Sequence, residues 1–247
     1  MTIRAVIFDL DDTLTDDDAS VRESLAATTA EIARHCPGLS PGELAEAYWR
    51  ESNKVWDAFA AEQRAGRLRE EGTGDRLRHE SWRQALLACG VVDEELVHRA
   101  VAQYGRRRDS TLRLAPGAEE VLDALCGLVR RAIITNGATE MQRAKLRKFG
   151  LEQRVDYCVV SEEYGYGKPN PAIFLHVAEM LDVAPSECLM VGDNIGLDIV
   201  GASAAGMRSV WLNRDMRPLP EGAPSPDFMI RDIREVMDIV RGAKSGR

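Results

Sequence analysis

The feature that most constrains the fold is a set of short apolar runs, rich in β-branched residues, that recur along the chain without polar alternation. Such runs are typical of strands buried on both faces of a parallel sheet. From about residue 112 onward they alternate with segments whose apolar residues recur at helical spacing. This alternation predicts an α/β fold built on a doubly wound parallel sheet. The predicted strands are residues 4–9, 131–135, 155–160, 188–191, 209–212 and 228–230.

The stretch between the first two predicted strands has a helical pattern instead. Ser40-Pro-Gly-Glu43 has the composition of a capping box with proline at the first helical position. Amphipathic runs follow, and their aromatic stripe favours the core of a helical bundle over a ligand cage, because helical spacing already accounts for it. We therefore predict a sheet domain, residues 1–16 and 111–247, interrupted after its first strand by an all-helical domain, residues 17–110, with a charged loop at 64–74.

Composition narrows the class of protein. The chain has 247 residues and a formal net charge of −8, from 40 acidic and 32 basic side chains. Binding to a nucleic-acid polymer needs clustered lysine and arginine, so this balance argues against it. No apolar stretch approaches the roughly 20 residues that span a bilayer, and the five cysteines form no C-x-x-C pair. We expect a reduced, cytoplasmic protein without a membrane partner, and the sequence fits a monomer and a homodimer equally well.

Acidic side chains crowd the end of the first predicted strand, which is Asp9-Leu-Asp11-Asp-Thr13. Ligands of open α/β sheets bind outside the carboxyl ends of the strands. Neighbouring carboxylates raise one another's pKa unless a cation is present, and hard oxygen ligands suit Mg²⁺. Taken alone, the segment is explained equally well as an aspartate-rich turn that caps the next element.

Three further segments carry polar side chains at the ends of other predicted strands. Thr135 and Asn136 offer a hydroxyl and backbone N–H groups just before a helix, where an anion can bind. Lys168 is kept extended by the proline after it and precedes a helix N-terminus. Asp193 and Asp198 follow the fourth strand, either as metal ligands or as turn and cap residues. The shared edge of one sheet favours a functional site over four separate coincidences.

In their order and spacing these motifs resemble those of the haloacid dehalogenase superfamily, and the resemblance covers the whole chain. The chain is similar to the phosphatase branch of that superfamily, which has a Rossmann-like core and a helical cap inserted after the first strand. The resemblance implies that Asp9 is the nucleophile and forms an aspartyl-phosphate. It implies that Asp11 protonates the leaving alcohol and then activates the water that cleaves the intermediate.

The same resemblance implies roles for the other motif residues. Thr135 and the Asn136 amide would hold the phosphoryl oxygens, while Lys168 would neutralise charge and position the nucleophile. Asp198 would act through water or by orienting Lys168. Phosphoryl transfer needs an in-line nucleophile and clamps on the equatorial oxygens, which agrees with these roles. The implied Mg²⁺ ligands are Asp9, Asp11 through its carbonyl, Asp193 and Asp198.

Other reactions on the same core stay open. A 2-haloacid dehalogenase keeps the nucleophile but usually lacks the acid found here at Asp11, and it needs no metal. A sugar-phosphate mutase uses the same two aspartates, whereas an inactive core would make the chain a non-catalytic binding module. The phosphonate-cleaving branch needs a cap lysine, and Lys54 lies off the apolar stripe of its helix.

The expected substrate is a small phosphate monoester. The Thr-Asn-Gly turn and the segment 161–171 resemble those of capped phosphatases that act on nucleoside monophosphates or sugar-acid phosphates. Arg22 and the arginines of residues 64–69 are candidates for contacting the substrate, although charge runs more often form a solvated face.

Overall fold

A single parallel sheet organises the fold of the computed structural model, which describes residues 2–64 and 72–245. Its strands, in chain order, are β1 (Ala5–Phe8), β2 (Arg130–Thr135), β3 (Tyr157–Val160), β4 (Cys188–Gly192), β5 (Arg208–Leu212) and β6 (Phe228–Ile230). They pair in parallel in the order β3-β2-β1-β4-β5-β6. The predicted α/β fold with a parallel sheet is therefore confirmed, and the first strand of the chain lies in its middle.

The helices fall into two groups along the chain. The first group lies between β1 and β2, and the second follows or separates the later strands. The predicted cap at Ser40 is present, since the Glu43 N–H donates to Ser40 Oγ at 3.0 Å. Asp93 caps another helix by accepting the N–H of Glu95 at 2.9 Å. The helices are α1 (Asp17–Ala33), α2 (Pro41–Arg64), α3 (Thr73–Ala88), α4 (Glu94–Thr111), α5 (Ala118–Ala124), α6 (Thr139–Lys148), α7 (Ser161–Tyr164), α8 (Pro171–Leu181), α9 (Val200–Ala204) and α10 (Val236–Ser245).

Both faces of β1 are buried, which is why its sequence is apolar without alternation. Val6 and Phe8 belong to a core cluster that includes residues of α5 and α10. Ala5 and Ile7 belong to a second cluster, which includes residues of α8. The sheet is thus covered by helices on both sides, as a doubly wound fold requires.

The chain divides into two compact units. Within the described residues, one unit contains 2–15, 63–64 and 114–245, and the other contains 16–62 and 72–113. The second unit is helical, and its core contains the rings of Tyr48 and Trp82, which are tilted by 39° with their centroids 4.4 Å apart. The aromatic stripe of the sequence therefore forms a packed helical core. The assignment of residues 17–110 as a cap domain stays a prediction.

Helix α1 carries no apolar stripe, and the sequence pattern does not reveal it. Its buried face is made largely of hydroxyl side chains, which are satisfied within the same unit. Ser20 Oγ lies 2.7 Å and Ser24 Oγ 3.0 Å from Thr111 Oγ1 of α4. Small hydroxyl residues let the two helices approach closely while keeping their polar groups paired.

The predicted charged loop at 64–74 falls mostly outside the described residues, between the end of α2 at Arg64 and the start of α3 at Thr73. On α1, the Arg22 Nε donates to Asp18 Oδ2 at 2.8 Å. Within the described ranges, every helix is too short or too polar to cross a bilayer.

Strand register aligns the predicted site residues at one edge of the sheet. Phe8, the last residue of β1, lies opposite Ile133 of β2 and Val191 of β4. The next residues along these strands therefore reach the same carboxyl edge. Asp9, Thr135 and Asp193 follow at that edge.

Candidate active site

The site begins in the loop that leaves β1. The Asp9 N–H donates to the Val191 carbonyl at 2.9 Å, which continues the pairing of β1 with β4 to the first acidic residue. Asp12 has φ +59°, a left-handed conformation that aspartate tolerates better than most residues. The Arg214 guanidinium donates to the carbonyls of Asp12 and Thr13, which fixes the backbone of this loop.

Lys168 connects two of the predicted acidic residues. Its Nζ lies 2.6 Å from Asp9 Oδ1 and 2.6 Å from Asp198 Oδ1, and all three side chains are buried. The Asn136 side chain fixes the lysine backbone, since Oδ1 accepts the Lys168 N–H at 2.8 Å and Nδ2 donates to the Lys168 carbonyl at 2.9 Å. The lysine is therefore positioned at both its backbone and its ammonium.

The charges of this cluster influence one another strongly. Burial opposes the charged ammonium of Lys168, but the Asp198 and Asp9 carboxylates outweigh burial and raise the lysine pKa above its ordinary value. Burial raises the pKa of Asp9 well above 3.8, an effect that Lys168 opposes and that Asp198 and Asp193 reinforce. The cluster thus contains more negative charge than one lysine neutralises.

Asp193 adds a third carboxylate, and the set fits a hard divalent cation. Oxygens of Asp9, Asp193 and Asp198 lie within 4.8 Å of one another. Burial, followed by the repulsion of Asp198, raises the pKa of Asp193 to about 6. A cation would relieve this repulsion, and oxygen-only donors match the preference of Mg²⁺.

Asp198 accepts a short hydrogen bond from this chain at each of its oxygens, whereas the contact of Asp9 Oδ2 with Thr13 Oγ1 is longer, at 3.4 Å. Asp198 Oδ1 accepts from Lys168 Nζ at 2.6 Å, and Asp198 Oδ2 accepts the Asn194 N–H at 3.0 Å. This arrangement suits a residue that orients Lys168.

Asp11 is bound by helix α6, which begins two residues after the Thr135-Asn136-Gly turn. Lys145 Nζ lies 2.8 Å from each carboxylate oxygen of Asp11. Gln142 Nε2 donates to Asp11 Oδ2 at 3.0 Å and to the Asn136 carbonyl at 3.0 Å, and it also contacts Thr135 Oγ1. The predicted acid/base and the predicted phosphate-binding turn therefore share one partner.

The structure brings the predicted residues together in two neighbouring groups. Asp9, Lys168, Asp193 and Asp198 form the first group, which is held by the buried lysine. Asp11, Thr135 and Asn136 form the second, which is joined by Gln142. The Asn136 side chain links the two groups through Lys168. Lys54, considered as the cap lysine of the phosphonate-cleaving branch, is exposed, and its Nζ lies 2.7 Å from Glu51 Oε2 on its own helix.

A family model of the haloacid dehalogenase-like hydrolases matches residues 3–206, which is most of the chain. The chain belongs to the haloacid dehalogenase-like hydrolases. The superfamily membership predicted from the motifs is thereby confirmed.

Relatives of this hydrolase are named as phosphatases or as a nucleotidase. It is 33% identical to glyceraldehyde 3-phosphate phosphatase of Methanopyrus kandleri over 246 residues, 97% of each chain. It is 39% identical to phosphoserine phosphatase of Thermus thermophilus over 160 residues, 64% of this chain and 63% of the relative, a little under two thirds of its length. It is 34% identical to pyrimidine 5'-nucleotidase YjjG of Escherichia coli over 66% of this chain and 69% of the relative. The enzyme class predicted from the motifs, a phosphatase of this superfamily, agrees with these names and is confirmed as a class.

A solved structure similar to this hydrolase supports the fold assignment. The putative hydrolase YfnB of Bacillus subtilis, described as bound to magnesium, has a TM-score of 0.74 and 26% identity, covering 97% of this chain and 99% of the other. The likeness extends over both compact units.

Two residues of this hydrolase's site, Gln142 and Lys145, were not predicted from the sequence. The signal lay in their spacing, three residues apart on a helix that directly follows the predicted phosphate-binding turn. Residues at this spacing share one helix face. Among the five lysines of the chain, only Lys168 stands in a recognised motif, and Lys145 therefore looked like an ordinary helix residue.

Proposed function

We propose that this hydrolase is a Mg²⁺-dependent phosphatase of small phosphate monoesters and that it works through an aspartyl-phosphate on Asp9. The observation that carries the proposal is the buried contact between Lys168 Nζ and Asp9 Oδ1, 2.6 Å long, with Asp11 two residues further along the same loop. A carboxylate nucleophile divides hydrolysis into two easier steps. A buried cation against it offsets the repulsion of an anionic substrate.

In the first step, an Asp9 oxygen bonds to phosphorus while the bond from phosphorus to the ester oxygen breaks. Asp11 gives its proton to the departing alkoxide, so that a neutral alcohol leaves. We assign the Thr135 hydroxyl and the Asn136 backbone amide to the equatorial phosphoryl oxygens, because the turn precedes the N-terminus of α6. Lys168 offsets the negative charge that collects around the nucleophile.

In the second step, Asp11 takes a proton from water, and the water oxygen bonds to phosphorus. The bond between phosphorus and Asp9 breaks, which frees inorganic phosphate and restores both carboxyl groups to their starting states. The same residue thus acts first as acid and then as base. This assignment requires its carboxylate to face the ester oxygen and, later, the water.

The metal in this proposal is Mg²⁺, held by Asp9, Asp193 and the Asp11 carbonyl. When bound, it neutralises charge on the phosphoryl group and fixes its orientation. Asp198 is assigned to orienting Lys168, because it is completely buried and its two oxygens accept short hydrogen bonds of 2.6 and 3.0 Å from this chain. The magnesium described for YfnB supports this choice of ion.

Nucleoside monophosphates and sugar-acid phosphates are the substrates we favour within this class. The motif resemblance and the nucleotidase name of YjjG support the former. The names of the Thermus and Methanopyrus relatives add phosphoserine and a triose phosphate to the compounds worth testing. We further propose a reducing, cytoplasmic location, which the five free cysteines support.

The experiment that tests the function is phosphate release from a panel of monoesters with Mg²⁺ or with EDTA. The panel contains nucleotides, sugar phosphates, sugar-acid phosphates and phosphoserine. Mg²⁺-dependent release from at least one ester supports the proposal. Absence of release by folded protein overturns it, and halide release from 2-haloacids in EDTA, isomerisation of a hexose phosphate, or binding without turnover would then identify the alternative.

A further inference from the structure

Both oxygens of the Asp11 carboxylate are bound from helix α6. Lys145 Nζ contacts Oδ1 and Oδ2 at 2.8 Å each, and Gln142 Nε2 donates to Oδ2 at 3.0 Å. Within its own loop, Asp11 has a longer side-chain contact, from Thr15 Oγ1 to Oδ1 at 3.4 Å. The orientation of this carboxylate is therefore set mainly by a different element of the same unit.

These contacts are shielded from water on the α6 side, whereas the Asp11 side chain itself is 31% exposed. The Lys145 side chain is 11% exposed, although lysine usually extends into solvent, and Gln142 is buried. Pairs at the surface contribute little because water and salt screen them. Here, the shielding strengthens the attraction and restricts the rotamers of both partners.

Gln142 gives the arrangement a second anchor. Its Nε2 faces Asp11 Oδ2, the Asn136 carbonyl and Thr135 Oγ1. The Asn136 carbonyl can only accept, which settles that the nitrogen of the amide, and not its oxygen, points at it. The glutamine thereby fixes the distance from Asp11 to the turn assigned to the phosphoryl group.

We propose that Gln142 and Lys145, one turn apart on α6, are positioning residues that hold the Asp11 carboxylate in register with the phosphate-binding turn for proton transfer to the leaving oxygen. The inference rests on the proposed function. Proton transfer requires the donor to lie within hydrogen-bond reach of the leaving oxygen, and phosphoryl transfer requires that oxygen to be in line with Asp9. A carboxylate free to rotate would satisfy both conditions only part of the time.

Leaving-group dependence distinguishes this role from a merely structural one. An alkyl phosphate has a basic leaving oxygen and needs the proton from Asp11, whereas p-nitrophenyl phosphate has a weakly basic one and needs it little. The value of kcat/KM covers only the steps up to departure of the alcohol, so it isolates the first proton transfer. A general loss of folding or of phosphate binding would lower kcat/KM equally on both substrates.

The test compares Lys145→Met and Gln142→Met with Lys148→Met, a matched control on the exposed face of the same helix. Methionine keeps the length of each side chain and removes its N–H groups. We expect the first two variants to lose about 10- to 100-fold in kcat/KM on the best alkyl phosphate and less than about 3-fold on p-nitrophenyl phosphate. Lys148→Met should stay within about 2-fold of wild type on both, and Lys145→Arg should recover part of the alkyl activity.

Several outcomes contradict the inference. Equal losses on the two esters would mean that the α6 residues support folding or phosphate binding, and an unchanged Lys145→Met would mean that Asp11 needs no external anchor. Melting temperatures in EDTA identify any variant that fails to fold, and Gln142→Met and Lys145→Arg then decide the question. If wild-type protein hydrolyses no ester, the proposed function and the inference fall together; if wild type is active and Lys145→Met matches Lys148→Met, only the inference falls.

Discussion

Gly192, the last residue of β4, lies directly against the side chain of Asp198. A Cβ built on this glycine would come within 2.6 Å of the Asp198 Cβ and would clash with its carboxylate. Real Cβ atoms do not approach other atoms so closely, and the Asp198 side chain is completely buried with no room to retreat. The absence of a side chain at residue 192 therefore lets Asp198 reach Lys168.

Gly192→Ala should displace Asp198 and loosen its contact with Lys168. We expect a loss of about 1–3 kcal/mol in unfolding free energy from overpacking, together with a fall in kcat, measured by urea denaturation and phosphate release. Gly196→Ala is the matched control, since a Cβ there meets only Asn194 Oδ1 at 3.5 Å. Equal behaviour of the two variants would show that the close approach is unimportant.

Lys168→Met should lower both activity and stability. It leaves the buried Asp9 and Asp198 carboxylates without the cation that lies 2.6 Å from each of them. Breaking such a pair costs about 3–5 kcal/mol, and losing charge stabilisation at the proposed nucleophile should lower kcat by about 100-fold or more. Lys54→Met, which removes an exposed lysine, should change stability by less than about 1 kcal/mol. A stable and active Lys168→Met protein would contradict the assigned role.

Asp193→Asn should stabilise the metal-free protein at high pH. The pKa of Asp193 is raised to about 6 from an ordinary 3.8, so the folded state binds more protons than the unfolded state between these values. Wild-type stability therefore falls as the pH rises through this window, and this loss of stability is complete above about pH 6. The asparagine variant lacks this titration.

In EDTA at pH 8, we expect Asp193→Asn to be more stable than wild type by about 2–3 kcal/mol, with the difference shrinking towards pH 4. Thermal unfolding at several pH values measures it, and Asp215→Asn, at an exposed position, is the control. Mg²⁺ should stabilise wild type more than Asp193→Asn, since a ligand that binds the folded state raises its stability. An identical pH dependence of wild type and variant would refute the electrostatic explanation.

Asp9→Asn should abolish turnover without loss of the fold. Asparagine has nearly the same shape but forms no acyl phosphate. Because burial raises the pKa of Asp9, removing its charge should leave the melting temperature at or above that of wild type. Acid-quenched wild type should show the mass of one added phosphoryl group, and the variant should not. Hydrolysis by well-folded Asp9→Asn protein would exclude the proposed nucleophile.

The sheet could be predicted from the sequence because burial on two faces leaves a direct pattern. Ala5–Phe8 is apolar at every position, and each of its residues enters one of the two core clusters. Helix α1 could not be predicted in this way, because Ser20 and Ser24 bury hydroxyl groups that pair with Thr111, 91 and 87 residues away in sequence. A pattern of hydrophobicity does not record such pairing.

Part of the site could be predicted from the sequence in the same way, and part of it could not. Asp9, Thr135 and Asp193 stand at strand ends, so parallel register alone indicates that they meet. Gln142 and Lys145 lie within a helix, and their importance depends on the direction in which α6 leaves the turn. That direction is set by the packing of α6 against the sheet, where Leu146 joins the core cluster of Val6 and Phe8. Neither local propensity nor spacing specifies this packing.

The central place of β1 has a consequence for how the chain acquires its fold during synthesis. Ala5 pairs with Arg130 on one side and with Cys188 on the other, so β1 leaves the ribosome long before either of its partner strands. At roughly 5–20 residues per second, roughly ten seconds or more pass before β4 leaves the ribosome. β2 emerges earlier and can cover one side of β1, but the edge that pairs with β4 stays unpaired throughout this interval, so chains stalled before residue 188 should be the ones that chaperones retain.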